Sequence, residues 1–148
     1  MRVALDTNVL VYAEGLGDAV RCQLAGDLIA RLKPSDSIVA VQCLGELSRV
    51  LTSKMKKTGS EVRELLLSWS DGMVVADTTW TAFQSAMDLS VDHQISMWDA
   101  LIFAVAAENK CRLLVSEDFQ NGFTWHGVTV VNPFEPKAKP YKLLSMIL

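Results

Sequence analysis

The chain has 148 residues, half of them hydrophobic, and a formal net charge of −3. That length and apolar content suit one domain with a proper core. The mild acidity excludes a generally basic nucleic-acid binder, but not a site that reaches phosphates through cations. Cys22, Cys43 and Cys111 are odd in number and lack CxxC or metal-type spacing. They read as reduced thiols of a cytoplasmic protein. The opening MRVALDTNVLVYA has a signal-like apolar run, but Asp6 and Asn8 interrupt it early and no later stretch approaches a membrane span.

In chain order, Val3-Ala4-Leu5 reads as a short buried strand. Asp18 caps a predicted helix with Val20, Leu24, Leu28 and Leu32 on one face. Pro34 to Ser37 is a loop, and Ile38 to Val41 a second strand. A helix follows from about Gln42 to Met55, with Leu44, Leu47 and Leu51 as its buried stripe. Another starts at Gly59-Ser60, buries Val62, Leu65, Leu66 and Trp69, and ends at Gly72 before the strand Met73 to Ala76. Trp80, Phe83 and Met87 mark a helix reaching about Val91. Ser96 opens the next, Met97 to about Asn109, which is apolar nearly all round and therefore central. Leu113 to Val115 and Val128 to Val131 are the last strands, joined by a loop holding Asn121-Gly122.

Apolar strands without alternation, separated by helices, predict a three-layer α/β/α sandwich around a mainly parallel sheet of about five strands. The domain covers residues 1–134, and 135–148 form a C-terminal tail whose apolar end docks on the domain or on a partner.

Four acids stand out: Asp6, Glu46, Asp99 and Asp118. An acid where the pattern asks for an apolar residue costs stability unless it is paired or holds a cation. Asp6 and Asp118 follow strands and so fall on the carboxyl edge of the sheet, where open α/β folds bind ligands. Glu46 lies early in the helix leaving that edge, and Asp99 in the first turn of its own helix. Each also has a purely structural reading. Asp6 suits an Asx turn, Glu46 a pair with Arg49, Asp99 a capping box with Ser96, and Asp118 with Glu117 plain loop charges.

The order of these residues resembles the PIN-domain family of metal-dependent ribonucleases, and within it the VapC-like toxins. Leu5 to Tyr12 (LDTNVLVY) is similar to the family's opening motif, and Val41 to Glu46 to the segment carrying its helix glutamate. Trp98 to Ile102 is similar to its third acidic motif, Leu113 to Phe119 to its fourth, and Gly127 to Pro133 to its closing strand. Ala40 departs from the small hydroxyl residue of many members, and Glu117 beside Asp118 leaves open which acid serves the site.

The resemblance implies hydrolysis of RNA to a 5′-phosphate and a 3′-hydroxyl, an antitoxin partner and a homodimer. Oxygen ligands select Mg²⁺ or Mn²⁺ over zinc. Asp6, Asp99 and Asp118 would hold one ion and Glu46 a second ion or the water, with Asn8 and Ser116 hydrogen-bonding the ligands. Arg49, Lys54, Lys56 and Lys57, followed by Arg63, form either an RNA track or a solvated helix end. His93 and His126 read as structural or surface residues, and Trp125 and Tyr141 as packing residues with stacking on bases the alternative. A housekeeping RNA-processing nuclease and a non-catalytic RNA- or protein-binding module are the competing functions, the second opposed by the presence of all four acids. A haloacid-dehalogenase-type phosphotransferase is disfavoured, because Asn8 stands where its second aspartate belongs.

Overall fold

The computed structural model describes residues 1–148. The chain runs β1 (Val3–Leu5), α1 (Thr7–Ala13), α2 (Ala19–Arg31), a 3-10 turn (Pro34–Asp36), β2 (Ser37–Ala40), α3 (Val41–Ser53), α4 (Gly59–Gly72) and β3 (Val74–Ala76). It continues through α5 (Trp80–His93), α6 (Met97–Glu108), β4 (Leu113–Val115), β5 (Thr124–Trp125), β6 (Val128–Val131) and α7 (Tyr141–Ser145).

β1, β2 and β4 are buried at every position, as apolar runs between two helical layers must be. The sheet order is β3-β2-β1-β4-β6-β5, parallel except for β5. From β1 the chain steps outward through β2 and β3, then crosses to β4 on the other side. The switch point therefore lies between β1 and β4, and the loops leaving these two strands meet there. α1 to α4 form one connected set of packed helices, and α5 with α6 a separate antiparallel pair. α6 is buried from Ala100 through Ala106, which its uniform apolarity requires. No helix is long and apolar enough to cross a membrane.

Several local expectations are corrected. The apolar run after Asp6, given no element above, is a helix: Asp6 accepts from Thr7 N–H as the N-cap of α1, which replaces the alternative Asx turn. Val20 is 69% exposed, and α2 buries Ala25 and Leu28. Val41 starts α3 instead of ending β2, so the α3 stripe is Cys43, Leu47 and Leu51, with Leu44 half-buried. Thr124 and Trp125 add a sixth, edge strand through a two-residue hairpin. His126 (φ 48°) and Gly127 (φ 80°) supply the two left-handed positions that such a turn needs. Residues beyond 134 pack on the domain, α7 lying against β6 with Leu144 fully buried.

Candidate functional site

Asp6 leaves β1 at the switch point and is 3% exposed. Its backbone N–H still belongs to the sheet, donating to Val115 O at 3.0 Å. Its carboxylate accepts from Thr7 N–H (2.7 Å), Ser116 Oγ (2.6 Å) and Asn8 Nδ2 (3.2 Å). Burial nevertheless outweighs these bonds and lifts its pKa from 3.8 to about 6, with smaller upward pushes from Asp118 and Asp99.

Asn8 ties the two strand ends together. Its amide N–H groups serve Asp6, Ser116 Oγ (3.2 Å) and Asp118 Oδ2 (3.1 Å), while its buried Oδ1 has no partner. Ser116 Oγ also accepts from Asp118 N–H at 3.0 Å, turning the loop after β4 toward Asp6. Glu117 points elsewhere. It takes the Tyr12 hydroxyl and Arg21 Nε (2.9 Å), the latter an ion pair with Arg21 stacked over Phe134. Of the two adjacent acids, Asp118 is the one on the Asp6 side.

Glu46 enters one turn into α3 with both oxygens engaged. Thr7 Oγ1 donates to Oε2 (2.6 Å) and Gln42 Nε2 to Oε1 (3.2 Å). Gln42 Nε2 also reaches the Trp98 carbonyl at 3.3 Å, joining α3 to the start of α6, and its Oε1 is buried without a partner. The Glu46–Arg49 pair of the alternative structural reading does not form: the ion pairs join Asp36 to the N-terminus and Arg21 to Asp18 and Glu117.

Asp99 sits in the first turn of α6. Ser96 caps that helix by accepting from Asp99 N–H at 3.2 Å. Because α5 and α6 run antiparallel, this turn returns to the acid edge. Partial burial raises the Asp99 pKa, against the Ser96 hydrogen bond and with help from Asp118 and Glu46. The four acids thus form one electrostatic neighbourhood with no Lys or Arg paired to any of them. As they stand, no three converge as ligands on a single point. The donor set is oxygen only, and the unpartnered amide carbonyls of Asn8 and Gln42 lie beside it. That chemistry fits a hard divalent cation, with Asp99 half-buried and Asp118 exposed and so able to turn toward it.

None of Arg49, Lys54, Lys56 and Lys57 forms an ion pair with these acids. Lys54 lies eight residues beyond Glu46, about 12 Å down the α3 axis. Trp125 and Tyr141 are half-buried against the core. Sequence reasoning missed Thr7 and Gln42. Gln42 was legible as the i−4 neighbour of Glu46 on one helix face. His93 lines a cleft of about 420 Å³ that also includes Asp99 and Asp118, and nothing in its sequence neighbourhood signals this.

The architecture is a mainly parallel α/β sandwich with a carboxylate-rich edge at its switch point. A family profile described as the PIN domain matches residues 3–121, and the chain belongs to that family. A search of curated proteins found no match. Among solved structures, VapC20 of Mycobacterium tuberculosis, a sarcin–ricin loop cleaving toxin, is similar at 22% identity and a TM-score of 0.67, over 84% of this chain and 97% of that one. A toxin–antitoxin complex from Klebsiella pneumoniae is similar at 15% identity and TM-score 0.68, over 88% and 97%. VapBC2 of Rickettsia felis, bound to a promoter DNA fragment, is similar at 16% identity and TM-score 0.63, over 88% and 97%. These likenesses establish the fold.

Proposed function

We propose that the chain is a divalent-cation-dependent endoribonuclease and the toxin of a toxin–antitoxin pair. The observation that carries this reading is buried Asp6 at the switch point, linked through Asn8 and Ser116 to Asp118 with no cationic side chain to balance it. Asp6, Asp99 and Asp118 would hold one Mg²⁺ or Mn²⁺, and Glu46 a second ion or the attacking water. When bound, such a cation neutralises charge developing on a phosphate and lowers the pKa of water at the site.

The protein's own groups supply orientation. Thr7 and Gln42 fix the plane of the Glu46 carboxylate, which aligns the water with the scissile phosphorus. Asn8 and Ser116 hold Asp6 and the Asp118 loop at a set spacing. The water oxygen adds to phosphorus, the P–O3′ bond breaks, and the products carry a 5′-phosphate and a 3′-hydroxyl. Family membership and the toxins among its structural likenesses support RNA as substrate, and an antitoxin and a second copy as partners in the cytoplasm.

The test is cleavage of total cellular RNA by purified protein with Mn²⁺, with Mg²⁺ and with EDTA, beside an Asp99→Asn variant. Metal-dependent cleavage that falls at least a hundredfold in the variant is expected. No cleavage together with no Mn²⁺ binding would leave a PIN fold that serves as a binding module.

A further inference from the structure

The cleft beside Asp99 and Asp118 is larger and chemically richer than a phosphate needs. Its volume of about 420 Å³ falls in the range of small-molecule sites. Phe119 and Phe123 form an aromatic wall, both braced edge-on by the buried Phe103. His93 packs edge-on to Phe123 at 5.2 Å between centroids. Gln94 and Gln120 present exposed carboxamides at the rim. Rings that offer a surface for stacking, with amides that offer a donor and an acceptor each, are the chemistry that reads an unpaired base.

Gln94 adds a second observation. It is the C-cap of α5 in the left-handed region (φ 54°), where glycine is the least costly residue. That turn places an exposed carboxamide at the cleft.

Resting on the ribonuclease reading above, we infer that this cleft is a nucleobase subsite. It holds one unstacked base next to the scissile phosphate, with Gln94 and Gln120 reading its edge and Phe119 and Phe123 packing on its face. These residues set cleavage specificity, while the acids carry the chemistry.

The probes are the four nucleoside 5′-monophosphates and ribose 5-phosphate, which carries the same phosphate without a base. Their affinities are measured by NMR titration of the full-length protein in Ca²⁺, with the Phe123 amide as reporter. At least one nucleotide should bind ten times more tightly than ribose 5-phosphate. In a Gln94→Gly, Gln120→Ala variant that advantage should fall below threefold. The melting temperature should be unchanged or higher, because glycine suits the backbone at position 94. Equal affinity for all five probes, or an advantage that survives the double variant, would overturn the inference. Cleavage of total RNA is scored separately. Cleavage with flat affinities removes the subsite and leaves the nuclease, whereas base-dependent affinity with neither cleavage nor Mn²⁺ binding keeps the subsite and removes the nuclease.

Discussion

Asp6 accepts three hydrogen bonds, yet its burial raises the pKa to about 6. In the metal-free protein the sign follows from linkage. The native state holds its proton more tightly than the unfolded chain, so stability falls as pH rises from about 4 to about 6 and the full cost applies above that window. Two pKa units amount to about 3 kcal/mol. Asp6→Asn removes the charge but leaves an amide among three donors. In EDTA at pH 7.5 it should gain about 1–2 kcal/mol by urea denaturation and flatten the slope between pH 4 and 6, while cleavage is lost. A loss of stability at pH 7.5 would mean that the carboxylate is structural. The adjacent acids of the fourth motif separate in the same way. Glu117→Gln should change cleavage less than threefold, since Glu117 serves Tyr12 and Arg21, whereas Asp118→Asn should cost at least a hundredfold. The sequence placed Asp6 and Asp118 at one edge but left Glu117 open. That choice depends on a partner 96 residues away, Arg21, whose pairing no local pattern encodes.

At the scale of elements, long periodic helices and unalternating strands were legible because burial alone dictates them. What escaped was short or depended on tertiary contact. α1 has seven residues and follows its strand after a single residue, too short a run for its periodicity to stand out in the sequence. β5 has two residues and exists because His126 and Gly127 adopt left-handed conformations. Val20 matched the α2 stripe by spacing but lies in its first turn, where no neighbour covers it. The end of α3 shows the same limit at the basic cluster. Lys56 lies in the left-handed region (φ 53°), and Lys57 N–H returns to Leu51 O at 3.0 Å, so the chain folds back on the last turn of α3. The backbone of this segment closes the helix whatever its basic side chains contact, so the turn does not decide between an RNA track and a solvated helix end. Lys56→Gly should raise stability by about 0.5–1 kcal/mol in urea denaturation. It should leave the rate of metal-dependent cleavage unchanged, because the position lies at the far end of α3 from Glu46. A drop in RNA affinity with a shallower salt dependence would return Lys56 to the RNA track.

For the whole molecule the decisive quantity is the linkage between cation binding and folding. Four acids from β1, α3, α6 and the loop after β4 meet only when the sheet is formed, so an ion held by them binds the native state and not the unfolded chain. Mn²⁺ at a hundred times its dissociation constant should add about 2.7 kcal/mol. For a chain of this length that is a rise of about 5–11 °C in melting temperature. Binding displaces the proton that Asp6 retains up to about pH 6, so the rise should be larger at pH 7.5 than at pH 5.5. EDTA should reverse it, and Asp99→Asn should reduce it by at least half without lowering the metal-free melting temperature. This last condition separates a ligand from a structural acid, because removing repulsion among Asp99, Asp118 and Glu46 relieves the empty cluster. If Mn²⁺ leaves the melting temperature unchanged up to millimolar levels at pH 7.5, the acids do not form a cation site, and the nuclease reading falls with them.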